Sequence, residues 1–390
     1  MNTTPICLVP WKSILIDTNK DLKPCCAYER GDLGSLNNTS IQEIISGPAW
    51  TDVKHKLTNQ EWPEGCAVGC KEREEKIKYS VRLSYQKNYT FSNDDKINYL
   101  EFNGSNICNL ACLHCSPKFS SKWLNEWKKL EKSLPLGILD PAKNEKKSSE
   151  FLTNSDLVLK NLKELDLTEL RNVIFKGGEP MLNNETLSVL EYFDTTSILE
   201  KLEIQIITNG TIANEEILKL LNKAKKVLIT ISVDGVGKLN EYIRYGGDSD
   251  TQNLQKNIKL FSSFIQKVEL TLSVSVMVYN IFNLLEIRKF WYTELIDYHR
   301  SIPFFNIIVI DPLYLNPCVL SDTTRLKLIE HYKKYQRNNE FETVIKSLSG
   351  NYLGDKIHND WVSYTKEIEA LRGNSIVDLV PELKEELQFR

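Results

Sequence analysis

Short runs rich in Val, Ile and Phe recur through the middle of the chain, at 97–104, 173–175, 202–208, 227–233, 268–278 and 305–310, each with Gly, Asn or Asp at its end or within two residues beyond it. Helix-like segments lie between them. Leu254, Ile258 and Phe261 repeat at helical spacing behind Thr251, Ile217, Leu218 and Leu221 make a second apolar face, and a third pattern covers 281–296. Six strands alternating with helices imply parallel βαβ units with right-handed crossovers. A doubly wound sheet and a partial barrel both fit. In α/β barrels the chemistry sits at the C-terminal ends of the strands, so the polar motifs at those ends are the candidates for function.

After the first run, which includes Tyr99, Leu100 and Phe102, come Cys108, Cys112 and Cys115 within eight residues. Thiolates select iron–sulfur clusters and zinc. A cubane needs four ligands and this loop offers three, so one iron is left open to bind a small molecule. The alternative is a zinc loop or buried structural cysteines. His114, between two of the cysteines, could stack, pack or ligate. Gly177-Gly178-Glu179-Pro180 ends the second run. Its glycines allow close backbone approach, and Pro180 keeps Glu179 extended. A carboxylate with exposed carbonyls could grip an ammonium group; a plain strand-to-helix turn is the other reading. Thr208-Asn209-Gly210 and Ser232-Val233-Asp234-Gly235 end the next two runs. The side-chain period of two puts Ser232 and Asp234 on one side. Asn109 and Leu110 shape the triplet loop.

Nine cysteines, five of them in the first ninety residues, read as metal ligands in a reducing compartment. The five are Cys7, Cys25, Cys26, Cys66 and Cys70; adjacent cysteines rarely both ligate one ion, so one of Cys25 and Cys26 is a spare. The N-terminus has no secretory pattern and no apolar run is long enough for a membrane span, so a cytoplasmic location and no membrane partner are expected. A net charge of -3 argues against a non-specific nucleic-acid binder. At 390 residues there is room for two or three domains. The stretch 133–149 reads as a surface insertion. Beyond Asp311-Pro312 the pattern turns helical, with Leu328, Ile329 and Tyr332, then Ile368 and Leu371, on apolar faces. Cys318 reads as a small buried residue; it and Tyr279 are hydrogen-donor candidates by position only.

The C-x₃-C-x₂-C triplet, followed in order by Gly-Gly-Glu-Pro, Thr-Asn-Gly and Ser-Val-Asp-Gly, resembles the radical S-adenosylmethionine (SAM) superfamily. The resemblance implies an α/β fold, a partial (β/α)₆ TIM-like barrel at 93–312. It implies a catalytic [4Fe–4S] cluster on Cys108, Cys112 and Cys115 whose open iron chelates SAM. Reductive cleavage then gives a 5′-deoxyadenosyl radical that abstracts hydrogen from a substrate. Gly177, Gly178, Glu179 and Pro180 would hold the SAM amino group, with Thr208 and Asn209 nearby. Ser232 and Asp234 would make polar contacts to SAM. Arg244 would pair with its carboxylate or be a surface arginine, and His114 would stack on adenine or merely pack.

The first 92 residues resemble a twitch domain, the short form of SPASM. This implies an auxiliary [4Fe–4S] cluster on Cys7, one of Cys25 or Cys26, Cys66 and Cys70. Two departures stand out: Asn19-Lys20-Asp21 replaces the usual glycine turn, and the distal pair is spaced C-x₃-C. Structural zinc is the alternative there. Residues 313–390 form a helical C-terminal extension. The implied partners are a substrate, peptide, protein or small molecule, and a reductant such as flavodoxin or ferredoxin. The competing function is an iron–sulfur electron-transfer or zinc-binding module without SAM chemistry.

Overall fold

The structure is a computed structural model that describes residues 6–29, 31–77, 80–88, 96–135, 137–139, 155–247, 249–264, 267–294 and 304–388. Its strands are β1 (Ser13–Ile16), β2 (Leu22–Lys23), β3 (Tyr99–Phe102), β4 (Ala111–Cys112), β5 (Asn172–Phe175), β6 (Glu203–Thr208), β7 (Lys226–Ser232), β8 (Arg244–Tyr245), β9 (Val268–Val276) and β10 (Phe304–Ile308). The six expected runs are all strands, trimmed at half of their ends and lengthened by one residue at three. The chain divides into two compact units: Met1–Ser105 with Ser149–Ile206 and Asn214–Val227, and Asn106–Ser148 with Ile207–Ala213 and Leu228–Arg390.

In the first unit the strand order is β6-β5-β3-β1-β2. β1, β3, β5 and β6 are parallel, and β2 turns back antiparallel on β1. Ser13 and Asn172 flank Tyr99 in register, and Ile16 and Phe175 flank Phe102. All four residues of β1 and of β3 are buried, as expected of strands covered on both faces. The Phe102 and Phe175 rings stack at 5.2 Å. Placing β1 in this parallel sheet was not anticipated, since the first ninety residues show no βα alternation. Asn183 and Asn214 cap the helices Asn184–Thr195 and Glu215–Leu221 through their side chains, which satisfies amide groups that a helix start leaves open.

In the second unit β10 pairs parallel with β9, and β7 follows β9 in the order. Leu254, Ile258 and Phe261 are buried on the helix Thr251–Phe264, as the spacing predicts. The helix expected over 281–296 is described as Leu284–Glu294; Asn280 turns the chain before it, accepting from the Met277 amide at 2.8 Å. Positions 295 and 296, and the proposed insertion from 140 onward, lie outside the described residues. A separate two-stranded ribbon pairs β4 antiparallel with β8. The extension is helical, with Asp322–Tyr335, Glu342–Leu348, Asp355–Arg372, Ile376–Leu379 and Leu383–Gln388. Leu328, Ile329, Tyr332 and Ile368 are buried, and so is Cys318. Among the described residues no helix is long and apolar enough to cross a membrane.

Candidate functional site

The triplet loop belongs to the second unit. Its backbone is pinned by the β4–β8 ribbon, in which Ala111 opposes Tyr245 and Cys112 opposes Arg244. That pairing carries Arg244 to the cysteines. Arg244 is 7% exposed, so the surface reading of this arginine is corrected: the ribbon turns it inward. Its Nη1 donates to Asp234 Oδ2 at 2.7 Å. Asp234 is fully buried, and its Oδ1 accepts from the Ser275 amide at 2.8 Å. Asp234 therefore orients Arg244. The Nδ1 of His114 lies 3.9 Å from the same carboxylate, beyond hydrogen-bond range. Burial lowers the His114 pKa despite Asp234, which favours the neutral ring. Ser232 is half-buried at the end of β7.

The end of β6 is tied to the same loop. Asn209 Nδ2 donates to Asn109 Oδ1 at 2.9 Å, and Asn109 Nδ2 donates to Thr211 Oγ1 at 2.8 Å. Thr211 closes the ring by donating to Asn209 Oδ1 at 2.7 Å. Asn209 Nδ2 also stands 3.9 Å from Cys108 Sγ. Thr208 Oγ1 accepts from the Gly210 amide at 3.0 Å and shapes the turn. Cys108, Cys112, Cys115, Thr208, Asn209, Asp234 and Arg244 are thus gathered in one unit. Burial, then the neighbouring thiolates, pushes the Cys115 thiol up, while Arg244 draws it down. At Cys112 burial raises the thiol, and Arg244 and Arg372 oppose it.

Gly177-Gly178-Glu179-Pro180 lies in the first unit, where it wraps the end of β3. Gly177 has φ +114°, and a Cβ there would stand 1.7 Å from the Asn103 carbonyl oxygen. The Gly178 amide donates to the Ser105 carbonyl at 2.8 Å. Glu179 is 1% exposed, and its Oε1 accepts from the Met181 amide at 3.0 Å, capping the short turn that Pro180 begins.

The N-terminal cysteines share this unit. Cys66 and Cys70 sit on one tight turn, Ala67–Lys71 being π-helical. Gly69 is required there, because a Cβ would stand 1.8 Å from the Ala27 carbonyl oxygen. That close approach brings the turn against the 25–27 segment, where Glu29 also donates to the Gly65 carbonyl. Burial raises the Cys66 thiol to about 12, with Cys7 and Cys70 adding to it. Burial raises Cys25 too, with Cys26, Cys7 and Cys66 contributing. Cys26 is the exposed member of the pair; beyond burial, the charges it feels most are Glu101 and Lys176, themselves an ion pair.

Residues 102–281 match the family model of the radical SAM superfamily, and residues 7–71 match the SPASM iron–sulfur cluster-binding domain. These matches give the chain a radical SAM domain and, before it, a SPASM domain. GTP 3′,8-cyclases of Clostridium botulinum strains Hall and Okra are each 24% identical over 168 residues, 42% of this chain. The match spans 44% of those relatives' own length, under half. Among solved structures, native anSMEcpe with bound AdoMet is 20% identical with a TM-score of 0.42, covering 63% of this chain and 62% of that one. Streptococcus suis SuiB bound to the precursor peptide SuiA is 13% identical with a TM-score of 0.31, covering 74% and 66%.

The donor chemistry of the two domains fits two clusters. Burial raises the thiols of Cys112, Cys115, Cys7, Cys25 and Cys66, and as ligands they would give up those protons to iron. Among the described residues no three His, Cys, Asp or Glu side chains converge on a single ion. A cubane spreads its cysteines over separate irons, so its donors need not converge as they must around one zinc. Cys115 also borders a recess of about 210 Å³, walled by Trp127, Leu139 and Tyr314 with Asp311 and Asp360. Sequence reasoning missed the Asn109–Asn209–Thr211 ring and Arg372. Asn109, directly after the first cysteine, was the available signal for the ring.

Proposed function

We propose that this chain is an enzyme that cleaves SAM reductively and abstracts hydrogen from a substrate. The observation that carries the reading is the convergence of Asn209 and the Asp234–Arg244 pair on the cysteine-triplet loop. Cys108, Cys112 and Cys115 would hold the cluster, which would supply the electron for one-electron cleavage of the SAM sulfonium. Arg244, charged and oriented by Asp234, is the donor for the SAM carboxylate, a task suited to a guanidinium's fork. Neutral His114 offers a face for stacking. Gly177, Gly178 and Glu179, with Pro180, are assigned to the amino group, and Thr208 and Ser232 to the surrounding polar shell.

Cys7, Cys25, Cys66 and Cys70 are the ligands of the auxiliary cluster, with Cys26 the spare. The proposed substrate is a peptide or protein. The recess beside Cys115 is the candidate for part of its site. A flavodoxin or ferredoxin would deliver the electron. The domains run 1–92, 93–312 and 313–390.

The test is anaerobic reconstitution followed by dithionite and SAM. Formation of 5′-deoxyadenosine by the wild-type chain, and its loss in a Cys108→Ala/Cys112→Ala/Cys115→Ala variant, is the expected result. Iron incorporation with neither 5′-deoxyadenosine nor any SAM-induced change in the EPR signal would replace this reading with electron transfer alone.

A further inference from the structure

We propose that Arg372, in the C-terminal extension, is a positioning residue that locks the triplet loop and supplies positive charge beside Cys112, making the cluster easier to reduce. The inference rests on the proposed cluster site. Arg372 ends the helix Asp355–Arg372, which Gly373 stops in the left-handed region at φ +69°. Its side chain is 0% exposed. The guanidinium lies between two aromatic faces, 4.9 Å from the Trp123 centroid and 4.3 Å from that of Tyr245. Its Nη2 donates to the Ala111 carbonyl at 2.8 Å and to Glu126 Oε2 at 2.8 Å, and its Nε reaches the same oxygen at 3.1 Å.

Three of these partners, Ala111, Tyr245 and Trp123, bear on the cysteine loop. Ala111 precedes Cys112 in β4, and Tyr245 lies opposite Ala111 in β8. Trp123, one face of the sandwich, donates its indole N–H to the Cys112 carbonyl at 2.9 Å. The carbonyls of Ala111 and Cys112 are thus held by Arg372 and by the ring it stacks on. A buried charge is costly unless it is well compensated. Glu126, the Ala111 carbonyl and two aromatic faces compensate this guanidinium, which fixes its charge against the triplet loop. Through the Ala111 carbonyl this cation is held one residue from Cys112, and Arg244 stands opposite Cys112 in the ribbon. A cation near a thiolate cluster favours the more negative, reduced state. Glu126 partly offsets that field.

The experiment uses the full chain, reconstituted anaerobically. The midpoint potential of the cluster whose EPR signal SAM perturbs is measured in wild type, Arg372→Gln, Arg372→Lys and Glu126→Gln, with iron quantified in each. Arg372→Gln is expected to shift the potential negative and Glu126→Gln to shift it positive, with Arg372→Lys near wild type. Packing alone would not give shifts of opposite sign. Unchanged potentials at normal iron content, or shifts of one sign in both neutralised variants, would overturn the proposal. If Arg372→Gln does not hold iron, Glu126→Gln decides: a positive shift supports the proposal and none overturns it. Absence of any SAM-perturbed signal in wild type would instead defeat the underlying cluster assignment, and this inference with it.

Discussion

Cys25 and Cys26 are chemically identical neighbours, yet their surroundings separate them. Cys25 is within electrostatic reach of Cys7 and Cys66, whereas Cys26 is exposed and is acted on more by Glu101 and Lys176 than by Cys70. Cys25→Ala is expected to lose the auxiliary iron, about half the total for two four-iron clusters, while Cys26→Ala keeps it. Iron analysis of the two variants checks this, and equal retention would remove Cys25 from the ligand set. Gly177 is governed by backbone geometry. A side chain there meets both a positive φ and the Asn103 carbonyl, so Gly177→Ala should cost at least about 2 kcal/mol, measured by denaturant unfolding. The paired glycines were legible in the sequence as a site of close approach. That the partner is the end of β3 was not, because the approach joins residues more than seventy positions apart.

Between elements, the departure at Asn19-Lys20-Asp21 finds its explanation. Lys20 takes φ +68°, the conformation a glycine would adopt more easily. Its side chain then does what glycine cannot. Nζ donates to the Gly104 carbonyl at 2.7 Å and to Glu185 Oε2 at 2.6 Å, with both side chains 5% exposed or less. The turn after β1 is so bound to the loop after β3 and to the helix Asn184–Thr195. Lys20→Met would leave Glu185 buried without its cation. It should destabilise the protein by about 3–5 kcal/mol, and Lys20→Met/Glu185→Met should recover most of that loss. A double-mutant cycle by chemical unfolding tests the coupling, and additive losses would contradict it. Strand and helix positions were legible because burial periodicity is local. The joining of β1 to the parallel sheet was not, since pairing is chosen by distant partners.

For the molecule as a whole, the two groups of cysteines lie in different compact units, and each group is organised by contacts within its own unit. Removing Cys108, Cys112 and Cys115 together should therefore lower the iron content from about eight to about four per chain and leave the auxiliary signal unchanged. Loss of all iron from that variant, with the fold intact by circular dichroism, would show the two sites to be interdependent.

The chain's alternating pattern, the cysteine spacings and the order of motifs at strand ends were enough to specify an α/β radical SAM domain preceded by a cysteine-rich cluster-binding domain. These features are written in short windows, where periodicity and ligand spacing depend on neighbours in sequence. Tertiary structure alone decided that Asp234 holds Arg244, that Asn109 joins Asn209 and Thr211, and that a guanidinium from the last part of the chain lies beside Cys112. Buried polar groups must find partners wherever the fold puts them. Those partners come from any point along the chain, so no local pattern announces them.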